Sequence, residues 1–396
     1  MPTALSDTPA RDLAAGTGPR ERPAAADALL SLRGVRKSYG GVAVAVEGVD
    51  LDLAPGEILT LLGPSGCGKT STLRIAIGLE RASDGEVWLG GQLVDAPARR
   101  IFVPPERRNM GMVFQSYAIW PHMSVFENVA YPLQARRRPA AEIKAEVDRL
   151  LDMTGLSSFA DRPGTRLSGG QQQRVAIARG LAAGSGVLLM DEPFSNLDSH
   201  LRNHMRAEVK LLQRKLGIAV LFVTHDQSEA LALSDRIAVM RAGRIEQIGP
   251  PTELYNNPAS ANVRDFLGEN MRLSGRVRAR GRDAGLTVEL SEGNICLVDG
   301  QDHTGGAPVG SPCLLSIRPE HVRVEPAPAG PHTVEPNVVA GRILAMLFLG
   351  SAFEASVRLA SGAVVTTMLG SDTELKEGQA VRLVLPKLRL HAWPED

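Results

Sequence analysis

Three short runs of unbroken apolar residues punctuate the first two thirds of the chain, and each ends in residues able to do chemistry. Residues 58–62 (ILTLL) run into GPSGCGKT, 187–190 (VLLM) into Asp191-Glu192, and 218–223 (IAVLFV) into Thr224-His225-Asp226. Hydrophobicity that is continuous over so few residues predicts strands buried on both faces of a parallel sheet. Residues 110–114 (MGMVF) add another strand, closed by Gln115, and a polar residue at that end of a parallel strand is placed to touch ligand or metal. Residues 139–153 repeat instead at helical period, with Ile143, Val147, Leu150 and Leu151 on one side. Residues 70–79 and the stretch after Gln171 also have the make-up of helices. Earlier, 29–39 and 42–53 alternate as strands, and 85–93 (GEVWLGGQL) reads as a hairpin broken at Gly90-Gly91. The opening third therefore combines an antiparallel β-piece with a parallel α/β core. After Gly268 the pattern changes to short alternating runs with turn residues every 8 to 12 positions or so, which predicts a small β-barrel or sandwich. Residues 326–336 read as a loop within it.

The loop at 63–70 carries the first chemistry. A buried strand, a glycine-rich turn and a helix in that order are the context a G-x-x-x-x-G-K-[ST] sequence requires. Gly63, Gly66 and Gly68 let the backbone turn its N–H groups toward phosphate oxygens, and the helix start adds partial positive charge. Lys69 can reach β- and γ-phosphates, and the Thr70 hydroxyl can ligate Mg²⁺. Cys67, inside the loop, reads as a small tolerated residue. Tyr39, ahead of the loop, is a candidate stacking platform for a nucleobase. A second glycine-rich turn, LSGGQ at 167–171, points into a second helix, and one mononucleotide needs only one such cradle. The second cradle is therefore expected to serve a nucleotide held by another copy. Asp191 can hold Mg²⁺ through water, while Glu192 can polarise an attacking water.

Composition narrows the rest. A chain of 396 residues exceeds one ordinary core. Lys+Arg 44 balance Asp+Glu 44, which offers no general attraction to nucleic acid. Cys67, Cys296 and Cys313 are too scattered for a disulfide framework or a zinc cluster and fit a reducing cytosol. No run approaches the roughly 18–20 apolar residues of a spanning helix, and the N-terminus lacks the pattern of a secretory signal. Residues 1–28 read as a disordered leader. Any membrane link is expected to come from a partner.

The order GPSGCGKT, VFQ, LSGGQ, MDEP, SNLD, THD resembles the nucleotide-binding subunit of an ATP-binding-cassette transporter over about residues 30–267. LSGGQ between the phosphate loop and MDEP is the specific element. The resemblance implies that Tyr39 stacks on adenine. It implies that Gly63, Ser65, Gly66, Cys67, Gly68, Lys69, Thr70 and Ser71 bind phosphates and Mg²⁺, and that Gln115 is a metal and water ligand. Ser168, Gly169, Gly170 and Gln171 would contact ATP on the opposite subunit. Asp191 would be the metal ligand, Glu192 the general base, Asp198 part of the loop between subunits, and His225 the γ-phosphate switch. No core motif departs from the family pattern, so an active ATPase is expected. The family works as a head-to-tail homodimer with two ATP sandwiched between the phosphate loop of one subunit and the signature of the other.

Residues 272–393, with LLSIRPEHV, resemble the OB-type (TOBE) regulatory barrel of importer ATPases. Arg318 is read there as structural in preference to ligand-binding. The expected organisation is therefore a leader (1–28), an α/β P-loop cassette (29–267) with an antiparallel β-subdomain and a helical subdomain (about 116–180), and an all-β OB-like barrel (268–396). The resemblance implies a membrane permease docking near residues 115–127 and, indirectly, a periplasmic or extracellular solute-binding protein. It places the chain peripherally on the cytoplasmic face of the inner membrane. Trp120, Met123, Val125 and Phe126 read either as local core or as that docking surface. YAIWPHMSVFENVAYPL and FLGEN lean toward the polyamine, ferric-iron and phosphonate branch over the maltose-type sugar branch. A soluble cassette protein acting on ribosomes or DNA is the less favoured alternative, because the chain has one phosphate loop and no heptad run.

Overall fold

The computed structural model describes residues 28–40, 43–184, 186–281, 285–291, 293–328 and 335–395. The expected leader lies almost entirely outside the described residues, as do Val42 and the middle of the 326–336 loop. Strands β1 (Leu30–Tyr39) and β2 (Ala43–Leu53) pair antiparallel. The buried strand β3 (Ile58–Leu62) then delivers the glycine loop to helix α1 (Lys69–Ile77). Next come β4 (Asp84–Leu89), β5 (Gln92–Ala96), β6 (Ile101–Phe102) and β7 (Gly111–Val113). Three helices follow, α2 (Val125–Ala135), α3 (Ala140–Met153) and α4 (Gly169–Ala182). The chain returns through β8 (Val187–Asp191), α5 (Ser199–Leu216), β9 (Ala219–Thr224), α6 (Gln227–Leu233), β10 (Arg236–Arg241) and β11 (Arg244–Gly249). Two short helices, α7 (Pro251–Asn256) and α8 (Ala261–Phe266), close this part.

These strands make an antiparallel sheet in the order β2-β1-β4-β5-β6 and a six-stranded sheet in the order β11-β10-β3-β9-β8-β7. The second sheet is parallel from β10 to β7, with β11 antiparallel at one edge. Its strands are continuously apolar because both faces are covered. Leu59, Leu61, Leu189, Leu221 and Val223 face α1 and the antiparallel sheet. Ile58, Leu188, Met190, Val220 and Phe222 face side chains of α4, α5 and α6. Period-two alternation survives, but both phases are apolar. Helices α2, α3 and α4 bury a separate core containing Val129, Val147, Leu150 and Val175. The amphipathic pattern of 139–153 is thus spent on neighbouring helices.

The remaining strands are β12 (Met271–Arg280), β13 (Leu286–Leu290), β14 (Ile295–Val298), β15 (Pro312–Ile317), β16 (Arg323–Pro326), β17 (Val338–Phe348), β18 (Ala352–Leu359), β19 (Val364–Gly370), β20 (Ala380–Val384) and β21 (His391–Pro394). They form two five-stranded antiparallel sheets, β14-β13-β12-β15-β21 and β16-β20-β17-β18-β19, which share one apolar core. In β12 every second residue from Met271 to Val277 is buried. Arg318, immediately after β15, is buried, donating to the backbone carbonyls of Glu269 and Tyr255 and lying over the Tyr255 ring. It therefore serves as a structural tie to the preceding part of the chain.

Candidate nucleotide and catalytic site

The phosphate loop leaves the carboxyl end of β3 at the centre of the parallel sheet. Gly63 and Gly68 are forced by space: a Cβ would lie 2.2 Å from the Met240 carbonyl oxygen at the first and 2.2 Å from that of Ala45 at the second. Gly66 and Gly68 also stand at positive φ, 80° and 104°. The loop therefore runs against neighbouring backbone with no side chain at these positions to fill its concavity. Lys69 opens α1 with its Nζ bound to the carbonyls of Gly63 (2.7 Å) and Pro64 (2.9 Å), and 3.7 Å from Cys67 Sγ. Cys67 is buried beneath the turn. Ser65 is exposed at the tip.

Thr70 Oγ1 donates to Asp191 Oδ1 at 3.1 Å, joining the first turn of α1 to the end of β8. Burial pushes the Asp191 carboxyl up; the Thr70 hydrogen bond opposes that shift and the neighbouring Glu192 charge adds to it. Glu192 follows at φ 45°, with its N–H bonded to the Val223 carbonyl. Its Oε1 lies 3.0 Å from His225 Nδ1, and its Oε2 accepts from Gln115 Nε2 at 3.5 Å. The ends of β7, β8 and β9 thus converge on one carboxylate. Among the described residues no group of three or more His, Cys, Asp or Glu side chains forms a metal cage. One hydroxyl and one carboxylate suit a Mg²⁺ that completes its shell with phosphate oxygens and water. The donor set therefore fits a magnesium nucleoside triphosphate.

The other expected residues divide. The Tyr39 ring is exposed, and its hydroxyl is tied to Glu80 (2.5 Å) and lies 3.3 Å from Ser71 Oγ. Asp198 caps α5 by accepting from the Leu201 N–H. Ser168 caps α4 and shares a reciprocal capping box with Gln171. Gly169 and Gly170 lie against Leu197 and Leu201. Among the described residues no hydrogen bond or ion pair joins the 168–171 turn to the phosphate loop, so a single chain presents the two glycine cradles separately. The apolar group after Gln115 is split as well. Val125 belongs to the helical core, whereas Trp120, Met123 and Phe126 stay half-buried.

Three contributors escaped the motif reading. Glu80 holds Tyr39. Asn196 Nδ2 donates to the Gln115 carbonyl at 2.8 Å. Arg179, on α4, donates to the carbonyls of Tyr117 and Ala118 at 2.6 Å each and lies over the Trp120 ring. Asn196 stands inside SNLD and was within reach of a closer reading. Glu80 and Arg179 find their partners only through the fold.

A parallel sheet with a glycine phosphate loop, strand-end carboxylates and a second glycine turn, joined to an all-β unit, defines an ABC-type ATPase cassette with an appended all-β domain. The ABC transporter family model matches residues 46–195 and the TOBE domain model matches 315–393. A spermidine/putrescine import ATP-binding protein PotA from Nitratidesulfovibrio vulgaris is 45% identical, over 85% of this chain and 88% of its own. The trehalose/maltose import ATP-binding protein MalK of Thermococcus litoralis is 41% identical, over 90% and 95%. The solved structure of cbiO1 from Clostridium perfringens, part of the ABC transporter complex cbiONQ, matches with TM-score 0.53 and 29% identity, over 58% of this chain and 90% of cbiO1. The chain belongs to the ATP-binding proteins of ABC importers, and it is an ATPase. No helix among the described residues is long and apolar enough to cross a membrane.

Proposed function

We propose that this chain powers a multisubunit importer as a head-to-tail homodimer that clamps two MgATP between the phosphate loop of one copy and the 168–171 turn of the other. The observation that carries the reading is the convergence of Gln115 and His225 on Glu192, beside the Thr70–Asp191 pair. In it, Lys69 and the loop backbone, with Ser65, Gly66 and Ser71, bind the phosphates, and Tyr39 supports the base. Thr70, Gln115 and Asp191 would hold Mg²⁺, which supplies charge neutralisation on the transferring phosphoryl group when bound. Glu192 accepts the proton of the attacking water, and His225 orients Glu192 at the γ-phosphate end. Asp198 lies where the copies meet. Residues 115–127 receive a membrane permease, which holds the chain at the cytoplasmic face of the inner membrane, with a solute-binding protein delivering cargo from outside.

The relatives named for spermidine and putrescine favour a polyamine cargo. The relative named for trehalose and maltose keeps a sugar cargo as the second reading. Replacing Glu192 with Gln removes the base while keeping size and hydrogen bonding. Hydrolysis should fall at least about 100-fold, with ATP binding retained and a stable dimer trapped by ATP. Residual hydrolysis within a few-fold of wild type would remove Glu192 from that role. For cargo, spermidine or putrescine should stimulate hydrolysis in the reconstituted complex; stimulation by maltose alone would reverse the preference.

A further inference from the structure

Where the cassette's last helices meet the all-β unit lies a cavity of about 290 Å³ that the nucleotide chemistry does not use. Its walls come from α7 and α8 on one side and from β15, β21 and the turn around Arg389 on the other. None of the residues lining it is acidic, while Arg264, Arg318, Arg389, His321 and His391 all contribute. The charged side chains in its walls are therefore all of one sign.

Two of the polar groups are buried without a partner. Arg264 is 4% exposed, and its Nε and Nη2 are committed to Asp265, but its Nη1 has no hydrogen-bond acceptor. The Nδ1 of His391 is likewise buried and unpaired. A buried guanidinium nitrogen left without an acceptor is destabilising, and a bound anion would remove that cost. Arg389, exposed at the rim, donates to Asn256 Oδ1 across the seam at 3.2 Å. Burial keeps the His391 imidazole neutral, with nearby His303, Arg318, Arg264 and Arg389 adding to the effect. A neutral imidazole among guanidinium groups can gain a proton when an anion arrives.

From these residues we infer a phosphate-type anion site at the seam between cassette and barrel, taking inorganic phosphate or a small phosphate monoester. Guanidinium forks match phosphate oxygens bidentately, and the volume exceeds what one water needs. Because the walls belong to both parts of the chain, an occupant bridges them.

Trp393 reports on the site, since its Nε1 donates to Ser316 Oγ at 2.8 Å and Ser316 lines the cavity. Full-length protein, with MgADP saturating the phosphate loop, is titrated with inorganic phosphate and separately with glucose 6-phosphate, using chloride as control. The Trp393 indole N–H resonance should shift saturably with at least one of them, and the His391 pKa should rise. Response to phosphate alone identifies the free ion, and a tighter response to the ester identifies monoesters. The double variant R389A/H321A should bind about tenfold or more weakly. R389E, changing only an exposed side chain, should weaken binding at least as much as R389A. The absence of a saturable shift at millimolar ligand, or unchanged titrations in both variants, would overturn the site.

Discussion

Glu192 and Gly68 show what single residues sustain in this site. Glu192 holds φ 45° although it is not glycine, because its N–H is bound to Val223 and its carbonyl accepts from Ser195 Oγ at 3.0 Å. That backbone turn aims the carboxylate at His225 and Gln115, a local cost kept where geometry serves function. At Gly68 the constraint is absolute space: φ is 104°, and a Cβ meets the Ala45 carbonyl oxygen at 2.2 Å. Gly68→Ala should lower stability by about 2–4 kcal/mol and weaken nucleotide binding at least tenfold, read by thermal unfolding and fluorescent-nucleotide titration. Near-normal binding would mean the loop relaxes freely. Asp191 carries the opposite expectation. Burial raises its pKa, so the folded state holds the proton more readily than the unfolded one, and its ionised form at neutral pH opposes folding. Asp191→Asn should therefore raise the first unfolding transition of nucleotide-free protein by about 2–4 °C while weakening Mg²⁺-dependent ATP binding. A lowered transition would show that the Thr70 bond outweighs burial.

Between elements, Arg179 matters more than its place in the sequence suggests. It stands on the helix that begins with the 168–171 turn, yet both its hydrogen bonds go to Tyr117 and Ala118, just after Gln115, where φ is 60° and 47°. One guanidinium thus ties the signature helix to the segment beyond β7. Arg179→Ala leaves two carbonyls without their donor and removes the cation over Trp120, which should cost about 2–4 kcal/mol. Arg179→Lys should restore little, because an ammonium does not reproduce the planar fork. Hydrogen exchange over residues 115–120 should rise in both variants; protection equal to wild type would refute the tie. This contact also marks where sequence reading stops. The strands at 58–62, 187–191 and 219–224 were legible because burial on both faces leaves an unbroken apolar signature, and their strand-end residues were legible with them. Arg179 and Glu80 were not, because a polar residue whose partner lies tens of positions away leaves no local period. The fate of Val125 against Trp120 was equally hidden, since only packing decides which apolar residue in a loop is swallowed.

The whole molecule turns on the seam between its two parts. Tyr255 donates to Glu320 at 2.6 Å, its hydroxyl pushed up to about 12 by burial and that carboxylate, and Gly268 N–H donates to Gln227. Behind this seam His303 stacks on Trp393 at 3.7 Å, with Arg264 over the same indole. Burial lowers His303 and takes His391 down to about 4. A histidine whose folded pKa is depressed binds fewer protons folded than unfolded, so stability is fully present above the unfolded value and falls with acid. For His391 the window runs from its ordinary 6.5 down to about 4, and the loss is on the order of 3–4 kcal/mol before solvent screening is discounted and smaller once it is. The neighbouring cations deepen it, since Arg264, Arg318 and Arg389 all disfavour a charged imidazole. The all-β unit should therefore loosen first as pH drops from 6.5 toward 4, followed by Trp393 fluorescence and near-ultraviolet circular dichroism. His391→Gln, which cannot take up a proton, should flatten that dependence without altering stability at pH 8 by more than about 1 kcal/mol. If the variant keeps the same acid midpoint, the destabilising proton binds elsewhere, and the His303 imidazole against Trp393 becomes the group to replace.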